Sequence, residues 1–169
     1  MFAYVAQDIF LFSDSLKANI LFGITSDAQA SNLEQAVETA CLTEEIKGFP
    51  NGLDTILGER GITLSGGQKQ RTAMARALVK NPTVLLIDDG LSAVDTKTEV
   101  SIKNGLKKWD KEHTFINISH RISSIQDCSE IIFLDRGKVL EQGNHDFLLG
   151  NNGVYAALFE KQIVNSTEG

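Results

Sequence analysis

Apolar positions along the chain fall into two rhythms. From Asn32 to Ile46, NLEQAVETACLTEEI, residues Leu33, Ala36, Val37, Ala40 and Cys41 recur at helical spacing. Gly48, Pro50, Gly52 and Gly58 then break the pattern into a loop over Lys47 to Arg60. Gln68 to Lys80, rich in Ala, Arg, Gln, Lys and Met, reads as a helix that stops at Asn81-Pro82. The second rhythm is continuous. Thr83 to Ile87, TVLLI, and Thr114 to Ile118, TFINI, are short unbroken apolar runs of the kind a parallel sheet buries on both faces. Lys97 to Trp109 is helical in pattern between them, and Arg121 to Asp127 reads as a short helix after them. Ile131 to Asp135 and Lys138 to Gln142 predict two strands joined at Arg136-Gly137, and Asn144 to Val164 predicts a helical end. Strand and helix alternate through the second half, which predicts an α/β architecture with right-handed crossovers.

Composition narrows the class. In 169 residues with 42% hydrophobic and 22% charged side chains, one globular domain is the natural expectation, without an internal repeat or a low-complexity linker. No apolar run approaches the roughly 20 residues of a membrane-spanning helix, and no basic region precedes an apolar stretch at the start, so no signal peptide is expected. A formal net charge of -6 argues against a nucleic-acid surface. Cys41 and Cys128 lack metal-ligand spacing and read as reduced structural thiols, and His113, His120 and His145 are too scattered for a metal cluster.

Three stretches carry candidate chemistry. The first is LSGGQKQR, Leu64 to Arg71, where two adjacent glycines stand at the head of a helix. Each interior Gly costs about 1 kcal/mol of helix propensity relative to Ala, so something there requires bare backbone. Ser65 is suited to cap the helix, and glycines let backbone N–H groups approach an anion at a helix N-terminus. A plain capped loop-to-helix junction explains SGG equally well. The second stretch, TVLLIDDGLSAVD, ends an apolar strand in Asp88 and Asp89. Carboxylates at the C-terminal end of a parallel strand lie where α/β sheets bind ligands; one can face a hydrated magnesium ion and the other polarise water. A solvated turn is the alternative. The third is INISHR, where His120 follows the next apolar strand and is placed to donate to a phosphate oxygen.

Together these stretches resemble the nucleotide-binding domain of an ATP-binding cassette (ABC) transporter of the exporter type. YVAQDIFLFSDSLKANILFG resembles the family's Q-loop region, with Gln7 at the glutamine position. LSGGQ matches the family signature, LGERG resembles the exporter X-loop with Glu59 as its acid, TVLLID matches the Walker B strand, SAVD to Asp95 resembles the D-loop, and His120 matches the switch histidine. The likeness runs from Tyr4 to about Gln162. It implies a P-loop NTPase-like α/β cassette over 1–169: a helical subdomain over about 8–80, and over about 83–164 a mostly parallel core with Walker B, D-loop, switch histidine and C-terminal helices. It also implies ATP and Mg2+ as cofactors, with Asp88 and Gln7 on the metal side and Asp89, His120 and Gln7 at the chemistry. Leu64, Ser65, Gly66, Gly67, Gln68 and Asp95 would serve a nucleotide held by a second cassette, since the family's cassettes dimerise head to tail. A transmembrane domain would be contacted near Gln7 and Glu59, at the cytoplasmic face of a membrane.

Two departures from the family pattern follow. G-x-x-x-x-G-K-[ST] is absent; the one Gly-Lys pair is Gly137-Lys138, followed by Val139. The chain therefore reads as the C-terminal part of a cassette, without the Walker A strand and the N-terminal β-subdomain, and is expected to be inactive alone, with sheet neighbours left unpaired. The second departure is Asp89, where family members that hydrolyse at full rate carry Glu. Asp is one methylene shorter, and misplacement by about 1 Å costs on the order of 100-fold. This resembles the degenerate cassette of heterodimeric bacterial multidrug exporters, whose partner carries the Glu; a homodimer tolerating Asp is the alternative. Readings from other classes are a soluble ABC ATPase acting on nucleic acid or ribosomes, against which GERG and QDIFLF stand, and a non-catalytic remnant of a broken transporter gene.

Overall fold

The computed structural model describes residues 1–25, 31–58, 62–109 and 113–167. The chain forms two compact units, Met1–Ile118 and Ser119–Gly169.

In the first unit three parallel strands, β1 (Phe2–Val5), β2 (Val84–Asp88) and β3 (Thr114–Ile118), pair in that order. The register sets Tyr4 opposite Leu86 and Leu86 opposite Ile116. One face is sealed: Ala3, Val5, Leu85 and Ile87 are 7%, 1%, 0% and 2% exposed. The other is open, with Phe2, Tyr4, Ile116 and Ile118 at 59%, 50%, 45% and 49%. TFINI is thus not the buried strand its composition predicts. It lies at the edge of the sheet with every residue at least partly exposed, because no further strand pairs beyond it among the described residues and helices cover one face only.

Among the described residues the α-helices of this unit are α1 (Leu16–Ile20), α2 (Leu33–Thr39), α3 (Thr43–Gly48), α4 (Gly66–Leu78) and α5 (Thr96–Leu106). The helix expected over Asn32 to Ile46 is two helices, because Cys41 takes a left-handed φ of 55° that ends the first. Helix α4 packs on α1, α2 and β1, and Met74, Ala75, Leu78 and Val79 join Leu16, Ile20, Ala36 and Leu85 in one core. Polar residues lock it: buried Arg71 donates to the Cys41 carbonyl at 2.5 Å and pairs with Glu45, and the Arg76 guanidinium reaches the Asn19 and Phe10 carbonyls at 2.7 and 2.9 Å. Trp109 Nε1 donates to Thr39 Oγ1 at 3.1 Å across the far side of the core.

The second unit holds α6 (Ile122–Ile125), the hairpin of β4 (Ile131–Asp135) and β5 (Lys138–Gly143), then α7 (His145–Gly150) and α8 (Val154–Thr167). Arg136 and Gly137, at φ 46° and 75°, make the expected tight turn, both central residues being left-handed. The helical end breaks in two at Asn152, φ 51°. There Glu141 caps the new helix, accepting from Val154 N at 2.6 Å and Tyr155 N at 3.1 Å. Its small core is Ile122, Ile131, Leu148 and Tyr155, with the Tyr155 hydroxyl 2.8 Å from His145 Nδ1.

Candidate functional site

Helix α4 begins at Gly66, two residues earlier than the periodicity of its apolar residues indicates. Ser65 and Gln68 form a reciprocal capping box: Gln68 N donates to Ser65 Oγ at 3.2 Å and Ser65 N donates to Gln68 Oε1 at 2.9 Å. The glycines are therefore the first helical turn, and the helix itself offers no acceptor to their N–H groups. Leu64, 6% exposed, anchors this loop in the core while Ser65 and Gly66 stand at the surface.

A contact within the chain supplies one reason for the bare backbone. A Cβ on Gly67 would lie 2.9 Å from the Ala93 carbonyl oxygen, and one on Gly66 would lie 3.3 Å from Ala93 Cβ. The segment Ser92 to Asp95 thus presses directly on the start of α4. It is held there by Gln70, which sequence reasoning missed: its Nε2 donates to Ser92 Oγ at 3.0 Å and its Oε1 accepts from Ala93 N at 2.8 Å. The same segment ends in Asp95, which caps α5 by accepting from Thr98 N at 3.0 Å. Hydrogen bonds from Thr98 hold the Asp95 carboxyl below its ordinary value.

The acidic pair occupies the C-terminal edge of the parallel sheet. Asp88 is the last residue of β2, and its Oδ2 accepts a 3.0 Å hydrogen bond from the Tyr4 hydroxyl on β1. That bond to a carboxylate raises the Tyr4 phenol above its ordinary value. Tyr4 is a second residue that sequence reasoning missed; the signal is the parallel register, which sets Tyr4 diagonal to Asp88 on one face. Asp89 follows with a left-handed φ of 48°, its N–H donating to the Ile118 carbonyl at 2.9 Å. Asp enters that conformation more readily than most residues because its short polar side chain bonds locally. Gln7, exposed, leaves β1 at the same sheet edge, two residues beyond Val5 as Asp89 is two beyond Ile87. Beyond it Phe10, Phe12 and Phe22 are exposed and in ring contact, with the Arg76 guanidinium 6.0 and 5.9 Å from the Phe12 and Phe22 rings.

The structure thus brings together Ser65 to Gln68 with Asp95's segment, and Asp88 with Tyr4. His120 lies in the second unit, where Gln162 Nε2 donates to its carbonyl at 2.7 Å. Glu59 lies outside the described residues. Among the described residues no group of three or more His, Cys, Asp or Glu side chains is arranged to hold a metal. One sheet-edge carboxylate still suits Mg2+, which binds through one or two carboxylates together with waters and substrate phosphates.

Comparison with known proteins decides the family. The profile described as "ABC transporter" matches residues 1–92, more than half of the chain. The chain belongs to the ABC transporter family. It is 42% identical over 165 residues to the probable multidrug resistance ABC transporter ATP-binding/permease protein YheI of Bacillus subtilis, covering 98% of this chain and 28% of that protein. It is 41% identical over 161 residues to the ATP-dependent lipid A-core flippase of Photobacterium profundum, covering 95% and 28%. Among solved structures, a bacterial Atm1-family ABC exporter with ATP bound superposes with a TM-score of 0.88 at 42% identity, over 95% of this chain and 28% of that one. The fold is therefore a partial ABC cassette, P-loop NTPase-like, and the chain spans little more than a quarter of the length of the relatives it matches.

Proposed function

We propose that this ABC chain is the signature-bearing part of an exporter's ATPase cassette, coupling ATP binding and hydrolysis to export of a substrate across a membrane. The observation that carries the reading is the start of α4: a capped, glycine-bearing helix N-terminus at the surface, backed by the Asp95 segment. In this reading Ser65, Gly66, Gly67, Gln68 and Asp95 complete the ATP site of a second cassette, and Leu64 anchors them. Amides at a helix N-terminus stabilise a phosphate without a cation of their own.

On the chain's own side, Asp88 with Gln7 would hold Mg2+, and Gln7, Asp89 and His120 would orient water and the terminal phosphate. Mg2+ when bound supplies charge neutralisation at the phosphoryl oxygens. Asp89 orients water poorly, being a methylene short of Glu, and its left-handed backbone gives that Asp a conformational reason as well. Hence this chain's own site hydrolyses weakly, and the partner in a heterodimer carries the Glu. The exposed Phe10, Phe12 and Phe22 beside Gln7 are an apolar surface suited to a transmembrane domain, with Glu59 as a further contact. In this reading the cassette works at the cytoplasmic face of a membrane; no helix among the described residues is long and apolar enough to cross one. The net charge of -6 gives no support to a nucleic-acid partner.

The test is equilibrium MgATP binding to the 169-residue chain. Without G-x-x-x-x-G-K-[ST], no saturable binding in the micromolar range and no turnover are expected. Micromolar affinity would show that other residues of this chain hold the phosphates, and would overturn the division of roles.

A further inference from the structure

Gln70 sits on the buried stripe of α4 with Met74 and Ala77, yet it is polar and only 6% exposed. A buried primary amide in such a stripe must find partners for both its ends. It finds them on one short segment 22 and 23 residues further along the chain: Nε2 donates to Ser92 Oγ at 3.0 Å, and Oε1 accepts from the Ala93 amide at 2.8 Å. Ser92 and Ala93 are themselves exposed, held between the buried side chains of Leu91 and Val94, each 5% exposed, so at these two positions the hydrogen bonds of Gln70 are what fix the backbone against α4. The grip is reinforced one turn earlier, where Gly67 leaves room for the Ala93 carbonyl.

We propose that Gln70 is a positioning residue that fixes the signature loop and the Asp95 segment as one rigid body. The two groups this chain presents to its partner's nucleotide are then delivered at a fixed mutual geometry. Gln70 touches neither nucleotide nor reacting atoms; it acts through Ala93 and Gly67. The inference rests on the reading above, in which Ser65 to Gln68 and Asp95 face a partner's site. Without Gln70 the segment would be held by Val94 and the α5 cap alone, free to shift Asp95 relative to the phosphate-facing amides, and errors of about 1 Å in such assemblies cost one to two orders of magnitude in rate.

The test uses the full-length transporter that carries this chain and two variants. Gln70→Leu removes both hydrogen bonds at similar size. Gln70→Glu keeps an acceptor for Ala93 N, and the Ser92 hydroxyl can turn to donate to it. Amide exchange is read by mass spectrometry on peptides spanning 91–96 and 84–88, alongside kcat and KM for ATP. Loss of one hydrogen bond predicts exchange at Ala93 faster by roughly threefold to tenfold in Gln70→Leu, with the β2 peptide unchanged. Turnover should fall about tenfold with KM within about twofold, the split that marks loss at the reaction step rather than in binding. Gln70→Glu should restore both. Wild-type exchange at 91–96 in Gln70→Leu, a turnover loss without an exchange change, or no rescue by Gln70→Glu would each overturn the proposal. A wild-type transporter that hydrolyses no ATP would instead overturn the exporter reading, while the exchange data still judge the grip of Gln70.

Discussion

The two faces of the sheet around β2 border regions built to different standards. Toward α4, the Ser65 to Gln68 turn is capped at both ends, anchored by Leu64, backed by Gln70 and keyed to Ala93 at Gly67. Toward the open face of the sheet, Asp88 leans on one tyrosine hydroxyl, among Phe2, Ile116 and Ile118 that remain exposed. The strands are the same and equally rich in apolar residues; what differs is whether helices cover them. The lesson is that a β-branched run such as TFINI states a preference for burial but cannot supply the layer that buries it. In the proposed function the finished region is the one offered outward, to a second cassette, while the residues around Asp88 are the less supported half.

That contrast can be broken by stability measurements. Leu85→Ala, on the sealed face, should cost about 3 kcal/mol in urea unfolding, as a fully buried leucine leaves a cavity in the core of the first unit. Next, Arg71→Leu should cost about 2 kcal/mol, because it orphans the Cys41 carbonyl and leaves Glu45 unpaired, though partly solvated. Asp95 gives a smaller, pH-dependent effect. Its carboxyl is held below the ordinary 3.8, so its contribution is complete above that pH and is lost as pH falls through the lower folded value. Asp95→Asn keeps an acceptor for the α5 cap and removes this dependence, so the wild type should lose stability relative to the variant only below about pH 4. Smallest of all, Ile116→Thr on the open face should change stability by no more than about 0.5 kcal/mol. A loss at Ile116 equal to that at Leu85 would show that the two faces do not differ as described.

Much of this was legible in the chain. The run TVLLIDD announced a parallel strand ending in acids, and Ser65 ahead of the helical run announced a capped helix, while the reciprocal bond from Gln68 appeared only in the structure. What periodicity could not show were positions where one residue's backbone stops an element: Cys41 and Asn152 are left-handed, and each divides a pattern that reads as one helix. Strand β1 was hidden because FAYV is only four residues long, and its assignment depends on pairing with β2 some eighty residues away. Of the site, the glycines pointed to close approach but not to what approaches; Ala93 is a contact made by the fold. Gln70 left a readable trace, a polar side chain at helical spacing from the apolar Met74 and Ala77. Tyr4 left one only once the register of β1 was known.

The central claim is that this chain's signature loop serves a productive site while its own acidic pair does not. ATP turnover of the intact transporter, measured for Gly67→Ala and Asp89→Asn with amide exchange confirming that each is folded, tests it most directly. A Cβ at Gly67 would meet the Ala93 carbonyl and displace the loop, so a loss on the order of 100-fold is expected. Asp89→Asn should stay within about threefold of the wild type, since it removes a carboxylate that contributes little to turnover. A loss at Asp89 as deep as that at Gly67 would contradict the account and make this chain's own site a working one.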